Sequence, residues 1–125
     1  MRVLLVEDEK NQRLLYKQEL EDEGYEVSLA GDGREAMKLL ETSRPDAVVL
    51  DISMPGMDGI ETLGQILSRD NTIPVLLHTA YSSYKDNFMT WSADAYVVKS
   101  ADLSELKARL REVLGGRVEE PGGGL

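Results

Sequence analysis

The sequence predicts an α/β fold in which five parallel strands form one doubly wound sheet with helices on both faces. Three observations indicate this fold. Short apolar runs alternate five times with segments of helical periodicity along the 125 residues. The runs 3–6 and 47–50 are continuously apolar, as expected for strands buried on both faces. Acidic, hydroxyl or basic residues follow four of the five runs, at the edge where open α/β sheets bind ligands.

The strands differ in pattern. The run 26–30 alternates polar and apolar residues, which favours a strand near a sheet edge. Pro74 opens the fourth run, where a missing N–H donor is tolerated. His78, the one histidine of the chain, lies in this run and is expected to be a packed strand residue. The predicted strands are 3–6, 26–30, 47–50, 73–79 and 95–98.

Helical periodicity and end signals predict five helices. Gly24 closes the first one, because glycine readily adopts the left-handed turn that follows a helix. Asp32 and Glu35 have capping-box spacing at the start of the second. Gly115 and Gly116 are expected to end the last. The predicted helices cover 11–23, 32 to the residues before Pro45, 60–67, 84–91 and 102 to about 114.

Composition narrows the classes of function. The net charge of −9 disfavours direct nucleic-acid binding, which requires a basic face. The absence of cysteine excludes disulfides and thiolate sites. No apolar stretch approaches the length of a membrane span, and a cytoplasmic location is expected. We expect one domain over 1–117, followed by a disordered tail or linker stub over 118–125.

The residues at the carboxyl ends of the predicted strands are the candidates for metal binding and catalysis. Glu7, Asp8 and Asp51 bring three carboxylates to one edge of the sheet, a set of oxygen ligands suited to Mg²⁺. Without a cation these anions repel one another, so at least one pKa should rise. Asp51 has a carboxylate that can attack phosphorus and form an acyl phosphate. Lys99 and Thr79 offer an ammonium and a hydroxyl to the phosphoryl oxygens.

Three segments together resemble the response regulator receiver domain of two-component signalling. They are Leu5-Val6-Glu7-Asp8-Glu9, then Val49-Leu50-Asp51-Ile52-Ser53-Met54-Pro55-Gly56-Met57-Asp58-Gly59, and Ala93-Asp94-Ala95-Tyr96-Val97-Val98-Lys99. The resemblance covers about residues 1–115. It implies a flavodoxin-like fold of strand order 2-1-3-4-5, with five helices in a three-layer sandwich.

The same resemblance implies a role for each residue at the sheet edge. Asp51 is the expected phosphoacceptor, and Thr79 and Lys99 are expected to contact the phosphoryl group. Tyr96 is expected to change rotamer together with Thr79. The expected ligands of Mg²⁺ are three side chains and one backbone carbonyl: Glu7, Asp8, Asp51 and Ser53.

The implied function is a phosphorylation-controlled switch. A sensor histidine kinase or histidine phosphotransfer protein donates the phosphoryl group, and the only chemistry is self-catalysed transfer and slow autodephosphorylation. The output surface is expected on the helix at 84–91, the fifth strand and the last helix. An unknown partner or a second copy of the chain would bind there, with neither nucleic acid nor membrane as a direct ligand.

One position departs from the family. A proline in a cis peptide usually follows the lysine, whereas Ser100 follows Lys99 here. A cis bond before serine would cost about 2.5–4 kcal/mol. We therefore expect either that strained bond or a trans bond with a rearranged loop, and either is expected to shift Lys99.

Parts of the sequence also fit two other functions. Gly31-Asp32-Gly33-Arg34-Glu35-Ala36 matches a dinucleotide-binding pattern, but Asp32 would direct an anion at the pyrophosphate. The second is a Mg²⁺-dependent phosphohydrolase with an aspartyl nucleophile. Such enzymes of the haloacid dehalogenase type place a general acid two residues after the nucleophile, where this chain has Ser53.

Overall fold

This computed structural model describes residues 1–52, 59–80 and 92–118, and within them the chain forms five strands and four helices. The strands are β1 Arg2–Val6, β2 Glu26–Ala30, β3 Ala47–Leu50, β4 Val75–Thr79 and β5 Ala95–Val98. The helices are α1 Lys10–Asp22, α2 Gly33–Thr42, α3 Gly59–Arg69 and α4 Ser104–Val118. The helix predicted at 84–91 lies outside the described residues. Within them, no helix has the length and apolar character needed to cross a membrane.

All five strands are parallel and form one sheet in the order β2-β1-β3-β4-β5. This confirms the expected fold class and strand order. In the register of the central strands, Val6 lies opposite Leu50 and Leu50 lies opposite Leu77. Thr79 at the end of β4 lies opposite Val98 at the end of β5. The carboxyl ends of four strands therefore meet at one edge.

Helices cover both faces of the sheet, because successive strand side chains point to opposite sides. One apolar core packs α2 and α3 against the sheet, and the other packs α1 and α4, which gives three layers. The first core is formed by Leu4, Val6, Ala30, Ala36, Leu40, Val48, Leu50, Ile52, Leu63, Ile66, Ile73, Val75 and Leu77. The second is formed by Val3, Leu5, Tyr16, Leu20, Ala47, Val49, Leu76, Ala95, Val97, Leu106, Leu110 and Leu114.

Two of the helix ends follow the expected signals, and a third does not. Gly24 has a φ of 99°, the left-handed conformation that closes α1. Asp32 caps α2 by accepting a 2.9 Å hydrogen bond from the backbone N–H of Glu35. The predicted end of the last helix at Gly115 is wrong, because α4 continues to Val118. Glycine weakens a helix without being obliged to stop it.

Gly59 begins α3 where that helix meets the end of β3. A Cβ atom on Gly59 would lie 2.1 Å from Cα of Ile52 and 2.7 Å from the carbonyl oxygen of Asp51. We expect Gly59→Ala to lower the free energy of unfolding by about 3 kcal/mol, because backbone rather than a flexible side chain must move. Urea denaturation measures the change.

Gly115→Ala is the matched control for this substitution. A Cβ atom on Gly115 meets nothing within 4 Å, and the residue lies in a helix. The same added methyl group should therefore stabilise the protein by roughly 0.5–1 kcal/mol. Equal effects of the two substitutions would contradict a steric role for Gly59.

Candidate functional site

Backbone hydrogen bonds continue past the strand ends and fix the first residues beyond them. The N–H of Asp51 donates to the carbonyl of Val6 at 3.0 Å, and the N–H of Lys99 donates to the carbonyl of Thr79 at 2.7 Å. Glu7 is likewise the first residue after its strand, β1. The expected convergence of these residues at one sheet edge is confirmed, and their backbones are held there by the sheet.

The ammonium of Lys99 joins two buried carboxylates. Its Nζ lies 2.7 Å from Oε1 of Glu7 and 3.0 Å from Oδ2 of Asp51. The exposed fractions of these side chains are 13% for Lys99, 2% for Glu7 and 4% for Asp51. An ion triad this deeply buried is screened little by solvent, so its charges act strongly on any group that enters the site.

Three carboxylates lie close enough to share one cation. Oxygen atoms of Glu7, Asp8 and Asp51 all lie within 4.8 Å of one another, with Asp8 exposed and the other two buried. A purely oxygen donor set at this spacing fits a hard divalent ion such as Mg²⁺, which keeps several waters as further ligands. Ser53, the expected backbone ligand, lies outside the described residues.

Burial is the largest single influence on the pKa of Glu7 and on the pKa of Lys99. Burial raises the pKa of Glu7, and the hydrogen bond from Lys99 offsets only part of this rise. The charge of Asp51 raises the same pKa further. The direction matches the expected rise of one carboxylate pKa, but burial rather than repulsion between the anions is its largest cause. Burial also disfavours the charged form of Lys99, but the hydrogen bond to Glu7 and the charge of Asp51 outweigh it and raise the pKa of the ammonium.

Thr79 and Tyr96 lie on the same face of the sheet. Thr79 is fully buried at the end of β4. Tyr96 on β5 lies opposite Leu77, two residues before Thr79, and packs against the same apolar core as Leu77. The register thus makes Tyr96 and Thr79 diagonal neighbours, as a coupled pair requires.

The peptide after Lys99 is trans, since no cis bond occurs in the described part of the chain. The hydroxyl of Ser100 accepts a hydrogen bond of 3.1 Å from the N–H of Asp102, which orders the loop that leads to α4. Lys99 nevertheless contacts both Glu7 and Asp51. Of the two arrangements expected for this peptide, the structure has the trans one.

Helix α1 contributes contacts that the sequence reasoning missed. Oε1 of Gln12 lies 2.7 Å from Nζ of Lys99, and the ring centroid of Tyr16 lies 5.9 Å from the same atom. Arg13 donates a 2.8 Å hydrogen bond to the backbone carbonyl of Glu7. The available signal was position, because α1 begins three residues after Glu7 and its first turn therefore borders the sheet edge.

His78 is buried on the opposite face of β4 from Thr79, as its place in the strand predicts. Its ring packs edge-to-face against Tyr16 with centroids 5.0 Å apart. Burial, assisted by the positive charge of Lys99, lowers the pKa of His78 to about 4. The imidazole is therefore neutral at pH 7 and serves packing, as expected.

The depressed pKa of His78 makes stability depend on pH. Between pH 6.5, its ordinary pKa, and about pH 4, the unfolded chain binds a proton that the folded chain does not. The free energy of unfolding should therefore fall as the pH falls through this window, by up to about 3 kcal/mol. His78→Phe keeps an aromatic ring beside Tyr16 and should show a flatter dependence in urea denaturation at several pH values. Parallel curves for the two proteins would contradict the buried neutral histidine.

The dinucleotide pattern has a structural role instead. Asp32 caps α2, and Oε1 of Glu35 accepts a 2.6 Å hydrogen bond from the N–H of Gly31. Two carboxylates therefore lie at the helix N-terminus, where one binds a helix N–H and the other binds the N–H of Gly31 just before the helix. A pyrophosphate would meet negative charge where it needs free donors, so this segment does not fit a dinucleotide.

Comparison with known proteins agrees with the geometry of the sheet edge. The family model described as "Response regulator receiver domain" matches residues 3–111. The chain belongs to this family. Its relatives therefore place it among signalling switches.

Individual relatives support the assignment to receiver domains. The response regulator MprA of Mycolicibacterium vanbaalenii is 40% identical over 126 aligned positions, covering 99% of this chain and 54% of MprA. The chain thus spans about half the length of the curated relatives it matches.

Two solved structures of the response regulator TrrA of Thermotoga maritima are 44% identical and cover 90% of this chain and 97% of TrrA. One contains TrrA with Mg²⁺-BeF (TM-score 0.86), and the other contains it with the histidine kinase ThkA (TM-score 0.85). Both TM-scores show that this chain and TrrA share one fold.

Proposed function

We propose that this receiver domain accepts a phosphoryl group on Asp51 and thereby switches a signalling output. One observation carries the proposal. The buried carboxylate of Asp51 lies 3.0 Å from the Lys99 ammonium and, with Glu7 and Asp8, offers oxygens within 4.8 Å of one another. A nucleophilic oxygen, a fixed cation and a place for a divalent ion are what phosphoryl transfer to a carboxylate requires.

Glu7, Asp8 and Asp51 are the residues that we propose hold Mg²⁺, with the backbone carbonyl of Ser53 as a further ligand. Support comes from the oxygen-only donor set and from the TrrA structure with Mg²⁺-BeF. When bound, the ion neutralises charge on the carboxylates and on the phosphoryl oxygens.

The transfer itself needs few groups from the protein. A carboxylate oxygen of Asp51 forms a bond to phosphorus as the donor's phosphorus–nitrogen bond breaks, and the imidazole of the donor leaves with the electron pair. Lys99 donates to the phosphoryl oxygens from a position fixed by Glu7. Thr79, buried at the end of the neighbouring strand, is the proposed hydroxyl donor to the same oxygens. Catalysis is then mainly positioning and charge neutralisation.

The switch is proposed to run from Thr79 to Tyr96. The new phosphoryl charge attracts the Thr79 hydroxyl, Tyr96 on the same face of the sheet follows, and the populations of two packings shift. The altered surface would include β5 and α4 together with the helix expected at 84–91. Its proposed ligand is an output partner or a second copy of the chain.

The proposed phosphodonor is a sensor histidine kinase or a histidine phosphotransfer protein in the cytoplasm. The kinase complex of TrrA supports this choice. The proposed chemistry is confined to the domain's own phosphorylation and slow autodephosphorylation, with no separate substrate. Residues 1–117 are the proposed receiver unit, and 118–125 the proposed disordered tail or linker stub.

Chemical labelling tests this function directly. The protein is incubated with acetyl phosphate and Mg²⁺ and measured by intact mass, with a second sample containing a chelator. We expect one phosphoryl group with Mg²⁺ and none with the chelator. Hydroxylamine should remove the label, because it cleaves acyl phosphates and leaves phosphoesters of serine or threonine intact. A label that forms without metal or resists hydroxylamine would place the chemistry elsewhere.

A further inference from the structure

Gln12 contacts the functional lysine from helix α1, and we propose that it is a positioning residue for phosphoryl acceptance at Asp51. The inference rests on the proposed function. Oε1 of Gln12 accepts a hydrogen bond of 2.7 Å from Nζ of Lys99, as short as the contact between Lys99 and Glu7. The side chain is half-buried, between the ion triad and solvent.

The ammonium of Lys99 has three N–H donors, and the structure supplies three acceptors. They are Oε1 of Glu7, Oε1 of Gln12 and Oδ2 of Asp51. With two donors held by Glu7 and Gln12, the third is directed at the carboxylate on which the phosphoryl group forms. Without Gln12, the flexible stem of the lysine is oriented only by the carboxylates of Glu7 and Asp51, the second of which takes up the phosphoryl group.

Gln12 is itself held by a closed circuit of hydrogen bonds. Oε2 of Glu7 accepts from the N–H of Glu9 at 3.1 Å, and Oε1 of Glu9 accepts from the N–H of Gln12 at 2.8 Å. The Gln12 side chain then reaches Lys99, which returns to Glu7. The circuit ties the end of β1, the first turn of α1 and the end of β5 together, so the backbone of Gln12 is fixed at a place from which its side chain reaches Nζ of Lys99.

The neutrality of the amide matters as much as its position. A phosphodonor brings negative charge into a site that already holds the carboxylates of Glu7, Asp8 and Asp51. Gln12 orients Lys99 without adding a further anion. A carboxylate at this place would orient the lysine equally well but would repel the incoming donor.

Three variants separate orientation from charge. Gln12→Met removes the acceptor, Gln12→Glu keeps an acceptor and adds a charge, and Gln18→Met makes the first change at an exposed place on the same helix. Both new residues are good helix formers, so the fold is expected to persist, as circular dichroism would show. Labelling rates with acetyl phosphate and Mg²⁺ are compared at ionic strengths of about 0.01 M and about 1 M.

We expect Gln12→Met to slow labelling about fivefold at both ionic strengths, the loss typical of one hydrogen bond. Gln12→Glu should be slow at low salt and close to wild type at high salt, where its charge is screened. Gln18→Met should match wild type throughout. Wild-type rates for Gln12→Met, or equal losses for Gln18→Met, would overturn the inference.

The ammonium signal of Lys99 in ¹H–¹⁵N NMR provides a readout that does not depend on activity. The signal is assigned by its absence from Lys99→Met. A firmly hydrogen-bonded ammonium exchanges slowly with water, so wild type and Gln12→Glu should show the signal and Gln12→Met should lose it. An unchanged signal in Gln12→Met would overturn the contact. If wild type takes up no phosphoryl group, the proposed function itself fails, a result distinct from labelled wild type matched by Gln12→Met.

Discussion

Asp51→Asn should abolish phosphoryl uptake while leaving the domain folded. The amide has nearly the shape of the carboxylate, so the buried position at the end of β3 is still filled. It lacks the anionic oxygen that attacks phosphorus, and no acyl phosphate can form on it. Incubation with acetyl phosphate and Mg²⁺, followed by intact mass, should therefore show one phosphoryl group on wild type and none on the variant.

A matched control tests whether losing a carboxylate charge elsewhere in the domain also lowers phosphoryl uptake. Asp22→Asn makes the same change at an exposed residue at the end of α1 and should be labelled at the wild-type rate. Circular dichroism and thermal unfolding establish that Asp51→Asn is folded. Persistent labelling of a folded Asp51→Asn protein would place the acceptor at another residue and would remove Asp51 from the proposed mechanism.

The sequence was sufficient to predict the sheet and the residues at its edge. Parallel strands buried on both faces read as continuous apolar runs, and β1 and β3 have this pattern. Such strands end at a common edge, and the strand order implied by the resemblance to receiver domains places the ends of β1, β3 and β4 side by side along it. Glu7, Asp51 and Lys99 could therefore be brought together before any distance was known, and the contacts of 2.7 and 3.0 Å agree with that reasoning.

Contacts made by helix side chains could not be predicted in the same way. A polar residue in the first turn of a helix, such as Gln12, has the same sequence pattern whether it faces water or a buried lysine. Its contact with Lys99 depends on how α1 lies across the sheet, which is decided by tertiary packing. Periodicity identifies the buried face of a helix but not the individual partners at its end.

Two glycines also show that a sequence pattern does not identify the contacts of an individual residue. Gly115 has the sequence signal of a helix end, yet α4 continues through it, because glycine permits the left-handed turn without requiring it. Gly59 resembles an ordinary residue of a glycine-rich loop, yet its missing side chain allows α3 to touch the backbone of Ile52. A close approach of this kind depends on how the start of α3 packs against the end of β3, and the pattern of residue types does not show that packing.

Lys99→Met should destabilise the domain strongly in the absence of a divalent cation. The substitution keeps most of the apolar stem and removes the charge that neutralises Glu7 and Asp51, which are 2% and 4% exposed. Removing one partner of a buried ion pair leaves an uncompensated charge, and here we expect a loss of about 3 kcal/mol in the free energy of unfolding. Urea denaturation with a chelator present measures this loss, and Lys10→Met, at an exposed lysine of α1, should have little effect.

The effect of Mg²⁺ on this variant distinguishes the structural role of Lys99 from its signalling role. A divalent ion held by Glu7, Asp8 and Asp51 supplies positive charge beside the same carboxylates, so adding Mg²⁺ should restore part of the lost stability. Labelling of Asp51 should persist, since the nucleophile and the metal ligands remain, but it should be at least as slow as in Gln12→Met because the ammonium that Gln12 orients is gone. The response of the output surface should be lost, because the phosphoryl group no longer has a cation that links it to β5. A Lys99→Met protein that is fully stable without Mg²⁺ and responds normally would show that the ion triad serves neither role.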